Sequence, residues 1–181
     1  RDKLPVCIGW SGSITTIRHF EMAVPVLKAI KAKYGERVIF KVIGDGNYQM
    51  KELGIVGIPW KKETELQELS EIDIGIMPLP DDEWAKGKCG LKGLQYMALS
   101  IATVMSPVGV NTEIIRDGEN GMLAATISEW IEKLSLLIDN PSLRRLCAEN
   151  GRKTVEKEYS VKALQPAYLK YFRDKKKKKK H

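Results

Sequence analysis

Histidine is almost missing from this chain, with only His19 and His181 among 181 residues. Cysteine is scarce too: Cys7, Cys89 and Cys147 stand far apart and form no Cys-x-x-Cys pair. An odd, scattered set argues against a disulfide scaffold or a zinc site and points to a reducing compartment. With so few histidines, a Cys–His catalytic pair built on Cys89 is a weak reading. No apolar run reaches membrane-span length, and no signal peptide is visible. An initiator Met is lacking as well. The chain opens Arg1-Asp2-Lys3 and enters a strand-like run almost at once, so a piece of a longer protein is expected.

Acidic residues are outnumbered, giving a formal charge of +7. Lys175 to Lys180 supply six of these charges, which leaves the body nearly neutral and excludes a basic nucleic-acid binder on charge grounds. The expected organisation is a single domain over 1–174, with residues 175–181 as a disordered tail or an artificial addition. Contact of that tail with anionic lipid is the weaker reading, for want of a clear amphipathic anchor beside it. The expected location is cytoplasmic, with any contact at the inner face of the membrane made through the full-length protein.

Short apolar runs alternate with helix-period segments. Strands are predicted at Val6–Ile8, Val38–Ile43, Ile55–Ile58, Ile72–Met77, Ile101–Met105 and Gly121–Ala124. Between them lie a helix through Phe20, Ala23, Leu27 and Ile30, broken or kinked at Pro25, and helices near Tyr48–Leu53, Glu63–Leu69 and Gly90–Leu99. Residues Pro78 to about Lys88 read as a loop. Thr126 with Glu129 forms a capping-box pattern, Asn140-Pro141 another helix start, and Ser160 a last cap. This alternation predicts an α/β fold, a parallel sheet of about six strands with helices on both faces, followed by C-terminal helices. Ligands in such sheets bind beyond the carboxyl ends of the strands, where the glycines at 9–12, 44–46, 87–93 and 109 fall.

The most informative stretch is Gly87 to Gln95, a glycine-rich loop running into an apolar helix. Lys88, Lys92 and Gln95 are spaced i, i+4 and i+7, one face of a helix, with Leu91, Leu94, Met97 and Ala98 expected on the buried face. A helix N-terminus with free N–H groups beside two lysines suits a phosphate or diphosphate. Gly9 to Ser13 could add backbone N–H groups and hydroxyls, and Arg18 is a further phosphate partner. Pro59-Trp60 could line a base pocket. Asp81, Asp82 and Glu83 read as a solvated acidic loop rather than a metal site or an acid–base pair. Gly44-Asp45-Gly46 begins a dinucleotide fingerprint, but Gln49 stands where its third glycine belongs.

The ordered set Ile8–Ser13, Val42–Gly46, Asp73–Leu79, Gly87–Ala98, Ser106–Ile115 and Asp117–Ala124 resembles the C-terminal half of GT-B glycosyltransferases of the group 1, retaining type, over roughly residues 5 to 160. The resemblance implies a Rossmann-like half-enzyme that holds a UDP-, GDP- or ADP-linked sugar donor, with the acceptor-binding half lying N-terminal to it. It implies no cofactor and no metal, because basic side chains and a helix N-terminus stabilise the departing diphosphate. Gly12, Ser13, Arg18, Lys88 and Lys92 would meet the diphosphate. Pro59, Trp60 and Gln95 would meet the nucleoside, and Gly109, Asn111 and Glu113 the donor sugar. Gly87 and Gln95 occupy the two positions where many members carry glutamate, and Trp10 stands for the usual arginine. The usual Lys-Gly before the first helix has no clear match. The rival readings are a nucleotide-sugar epimerase of the same architecture, which needs acid–base residues, and a non-catalytic nucleotide-binding or regulatory module. A nicotinamide dehydrogenase ranks below both, for want of the full glycine fingerprint.

Overall fold

A computed structural model describes residues 5–178. Six parallel strands form the main sheet: β1 (Val6–Ser11), β2 (Val38–Gly44), β5 (Ile58–Pro59), β6 (Ile74–Met77), β7 (Ala102–Met105) and β8 (Met122–Leu123), in the order β5-β2-β1-β6-β7-β8. A separate antiparallel pair joins β3 (Gln49–Met50) to β4 (Ile55–Val56). The helices are α1 (Ile17–Tyr34), α2 (Glu65–Ser70), α3 (Glu83–Lys86), α4 (Leu91–Ala98), α5 (Asn111–Ile114), α6 (Ile127–Asp139), α7 (Pro141–Thr154) and α8 (Val161–Lys178). The predicted α/β class is present, as are five of the six predicted strands with small shifts of their ends, while the third is divided.

Strand periodicity sorts the core onto two faces. Val6, Ile8 and Trp10 of β1, with Val38, Phe40 and Val42 of β2, pack under α1 and α6. Cys7 and Ile43 turn to the opposite face, where they meet Leu69 of α2 and Tyr96 of α4. Trp10 therefore belongs to β1 and not to a turn after it. Its ring lies 5.8 Å from that of Phe20, and that burial carries the strand on to Ser11.

Other expectations shift for local reasons. The predicted third strand splits at Gly57, where a Cβ would fall 2.0 Å from the Asp45 carbonyl oxygen; its first half pairs with β3 and its second half joins the sheet. The predicted helix near Tyr48–Leu53 is instead β3 plus a 3₁₀ turn, which Gly54 ends at φ 65°. Pro25 leaves α1 as one helix, because Phe20, Ala23, Leu27 and Ile30 are buried on both sides of it. The acidic loop holds α3, capped where Asp82 accepts the Ala85 N–H at 2.7 Å. The capping box of Thr126 and Glu129 and the caps at Asn140 and Ser160 form as expected. Helix α8 continues to Lys178, so the predicted 175–181 tail lies outside the described residues only from 179 onward.

Candidate functional site

From β1 the chain steps to β2 on one side and later to β6 on the other. The strand order therefore reverses between β1 and β6, and ligands settle at such a switch point beyond the carboxyl ends. Pairing of β1 with β6 covers only Ile8↔Ile74 and Gly9↔Gly75, after which the strands part. Two glycines stand opposite one another there and let other side chains lie directly on the sheet: a Cβ on Gly9 would fall 2.3 Å from Ile72. A Cβ on Gly75 would sit 2.5 Å from the Tyr96 ring, so this glycine lets Tyr96 lie flat on the sheet. The Tyr96 hydroxyl then accepts the Ser11 N–H at 2.7 Å, in the place where a neighbouring strand would have supplied a carbonyl. Its burial is complete, which pushes the phenol far above its ordinary range and keeps it neutral.

A cleft of about 540 Å³ opens in the gap, within the range of small-ligand sites. Its floor is Trp10, Ser11 and Gly12. Met77 to Leu79 and Trp60 form walls, and Lys88, Gly90 and Lys92 come from the start of α4. Gly90 takes φ 68° to turn the loop into the helix, and a Cβ there would lie 2.4 Å from Ile114. Lys88 lies before the first helical turn, so it reaches the cleft from the loop, and only Lys92 and Gln95 share a helix face. Leu91 and Ala98 are exposed, against expectation. Met97 is buried as expected, and Gly93 and Tyr96 share its face, since Gly93 admits Met105 close to the backbone.

Both lysines are partly withdrawn from water. Burial lowers the Lys92 ammonium below its ordinary value, although Glu65 pulls the other way; burial and then Arg18 lower Lys88, with Asp82 opposing. Lys92 Nζ lies 3.5 Å from Ser11 Oγ. Lys88 Nζ lies 3.2 Å from His19 Nδ1 and 4.1 Å from the centre of the Trp84 ring. Among the described residues neither lysine forms an ion pair with a carboxylate, unlike Lys41, which sits between Glu68 and Glu71. Two partly desolvated cations, each with no carboxylate in ion-pair contact among the described residues, make an anion-binding environment beside a helix N-terminus.

The remaining predicted residues separate into groups. Gly12, Ser13 and Trp60 line the cleft with the lysines. The Gly12 N–H, however, goes to the Ile43 carbonyl at 2.9 Å and the Ser13 N–H to Thr16 Oγ1 at 2.9 Å. This loop therefore offers hydroxyls, not backbone donors. Arg18 lies outside the lining, with its guanidinium 5.3 Å from the centre of the Trp84 ring. Pro59 ends β5 next to Trp60. Gln95 lies one turn behind Lys92, its Nε2 3.5 Å from Glu65 and its Oε1 buried without a partner among the described residues. Asn111 is 1% exposed and donates to the Ser106 carbonyl at 2.9 Å, so its amide braces the loop after β7. Gly109 takes φ 56° against the Lys86 backbone, and Glu113 faces solvent. Among the described residues no group of three or more His, Cys, Asp or Glu is placed to hold a metal, and no helix is long and apolar enough to cross a membrane.

Sequence reasoning missed His19, which is 3% exposed and lines the cleft, and Trp84, which packs on it with ring centres 5.7 Å apart. The available signal was position: His19 falls seven residues after Gly12, on the first turn of α1.

The family described as glycosyl transferases group 1 matches residues 5–140. The fold matches the C-terminal domain of the group 1 glycosyl transferase LpcC from Francisella tularensis (TM-score 0.67, 22% identity, covering 86% of this chain and 87% of that one). It also matches HepE from Anabaena in complex with UDP and glucose (TM-score 0.75, 13% identity, 94% and 49%). A third match is the sucrose-phosphate synthase of Thermosynechococcus elongatus (TM-score 0.70, 15% identity, 96% and 46%). The chain thus spans nearly all of an isolated C-terminal domain and less than half of the two longer chains. At these identities the likenesses show the fold, the expected Rossmann-like half of the GT-B architecture. No curated protein matches the sequence.

Proposed function

The chain belongs to the group 1 glycosyl transferases, and on that premise we propose that its cleft binds the diphosphate of a nucleotide-sugar donor between Lys88 and Lys92. The carrying observation is the pair of partly buried ammonium groups, without carboxylate partners, at the switch-point cleft. In glycosyl transfer the bond from the sugar to the diphosphate breaks and negative charge gathers on the leaving oxygen. Fixed cations in a partly desolvated site stabilise that charge more than water does. Ser13 adds a hydroxyl at the mouth, and Arg18 adds positive potential from outside. Trp60, beside Pro59, offers a ring face to the base. Gln95, one turn behind Lys92, meets the ribose. Gly109 and Glu113 serve the sugar side, on a loop that Asn111 holds in place.

The whole enzyme, in this reading, transfers a glycosyl group from a UDP-, GDP- or ADP-linked donor to an acceptor bound by a half outside this chain. Its products belong to polysaccharide or glycoconjugate synthesis, and it works in the cytoplasm with any membrane contact made by the full-length protein. HepE in complex with UDP and glucose has the same fold, which supports the choice of donor class. No resident cofactor is required.

Calorimetric titration with UDP, GDP and ADP, each against its nucleoside, tests the assignment. Lys88→Ala or Lys92→Ala should weaken diphosphate binding about tenfold or more, the size of one lost charge-assisted hydrogen bond, while nucleoside binding barely changes. Equal losses for both ligands would refute the diphosphate site. Donor binding without sugar transfer is expected of residues 1–181, and robust turnover by this chain alone would refute the two-half reading.

A further inference from the structure

We propose that His19 is a positioning residue of the cleft that couples diphosphate binding to the uptake of one proton. The inference rests on the diphosphate reading above and concerns a residue that reading leaves unused. His19 Nδ1 faces Lys88 Nζ at 3.2 Å, and Nε2 is buried with no partner among the described residues. A charged lysine can only donate, so Nδ1 must accept and the single ring proton sits on Nε2. A buried N–H donor at the wall of a cleft, left without an acceptor, is a group awaiting a partner.

The surroundings keep this ring neutral. Burial comes first, then the charges of Lys88 from the loop and Arg18 on the same helix; all three hold its titration below the ordinary histidine value, and Asp82 at the start of α3 opposes them weakly. The Trp84 ring closes the remaining side without charge. An anion placed between Lys88 and Lys92 changes that balance. Lys88 turns its ammonium to a phosphate oxygen, which frees Nδ1. Nδ1 then takes a proton from solvent, and the imidazolium adds a positive charge beside the phosphate. No covalent bond is made or broken in this step. The effect is larger for a free nucleoside diphosphate than for its sugar ester, because the former carries more negative charge. When the sugar–oxygen bond breaks, its electron pair stays on the diphosphate, and proton uptake at His19 favours that state.

Imidazole nitrogen NMR of the full chain tests this directly, since only His19 and His181 contribute signals. The expected result is a neutral His19 protonated on Nε2, with a titration midpoint that saturating UDP raises by about one pH unit, a tenfold change in its proton equilibrium. His19→Asn supplies the second arm: its amide oxygen can accept from Lys88 but takes up no proton. UDP affinity of the wild type relative to His19→Asn should rise several-fold, up to about tenfold, from about pH 8 to about pH 6. Ionisation of UDP itself is common to both proteins and cancels. A His19 midpoint unmoved by bound UDP, or identical pH profiles for the two proteins, overturns the inference while leaving the diphosphate site intact. Failure of the wild type to bind UDP, GDP or ADP at any pH overturns that site and this inference with it; where GDP or ADP binds in place of UDP, that diphosphate takes its place in both arms.

Discussion

Tyr96→Phe removes one oxygen atom and should cost the protein much of what holds the switch point together. The ring itself stays, seated over Gly75 with no room for a Cβ between them. What goes is the acceptor for the Ser11 N–H, held at 2.7 Å. No strand can replace it, because pairing of β1 with β6 ends at Gly9↔Gly75. Ser11 is 1% exposed, so water does not reach the orphaned donor easily. A buried donor left unsatisfied costs about 1–3 kcal/mol. At about 2–4 °C per kcal/mol for a domain of this size, melting should fall by roughly 2–12 °C, centred near 6 °C. Urea unfolding followed by tryptophan fluorescence should show a lower midpoint with an unchanged slope, the mark of lost stability without a changed unfolded state. Tyr48→Phe is the matched control, since the Tyr48 hydroxyl is buried and has no partner among the described residues. Its removal should be neutral or mildly stabilising, because a buried hydroxyl without a bond is itself a cost. A Tyr96→Phe loss below about 0.5 kcal/mol, or equal losses in the two variants, would refute the assignment of Tyr96 as the missing strand's substitute.

Two further perturbations test the frame around the cleft. Burial pushes the Asp117 carboxyl up, but the Lys133 ammonium at 2.8 Å and the Leu123 N–H at 2.9 Å outweigh it and hold the group below its ordinary value. A depressed folded value means stability that is present above the unfolded value of about 3.9 and lost as pH falls through the folded one. Asp117→Asn should therefore flatten the acid limb of a stability–pH curve below about pH 5, and curves parallel to wild type would count against it. Gly109→Ala forces a side chain into φ 56° and places Cβ 2.7 Å from the Lys86 carbonyl oxygen. About 2 kcal/mol or more of destabilisation is expected in urea unfolding, with weakened UDP binding as α3 and the Lys88 loop shift. Normal stability and affinity would show that the two loops are not coupled.

The sheet was legible because the strands are short apolar runs, most of them closed by a turn rich in glycine or proline, and the rule for parallel strands puts the ligand at their carboxyl ends. The errors fall where one residue's packing overrules local pattern. Trp10 followed a glycine and preceded Ser11-Gly12-Ser13, so it read as the start of a turn. Its ring instead fills the core beside Phe20, and the strand continues beneath it. The segment around Gly57 looked like one strand because alternation carries no information about which partner each half will find. Leu91 and Ala98 looked buried on helical spacing alone. The true contact face of α4 is chosen by Gly75, Gly93 and Met105, two of which lie on other strands.

The site divides along the same line. Lys88 and Lys92 could be picked out because few roles suit two lysines beside a glycine-led helix at a strand end. Residues whose role depends on a partner distant in sequence could not. Lys88 and His19 are separated by 69 positions, and only folding α1 against the loop after α3 brings them to 3.2 Å. The near absence of histidine pointed away from imidazole chemistry, yet one of the two histidines lines the cleft. Scarcity bears on how many sites a residue can build, not on where its few copies go. Among the described residues no carboxylate is in ion-pair contact with either lysine, Glu65 and Asp82 offset their charge only in part, and a neutral His19 with a free donor nitrogen adds no competing anion. Electrostatically the cleft is poised for an anionic ligand, and the negative charge it lacks is what a diphosphate would bring.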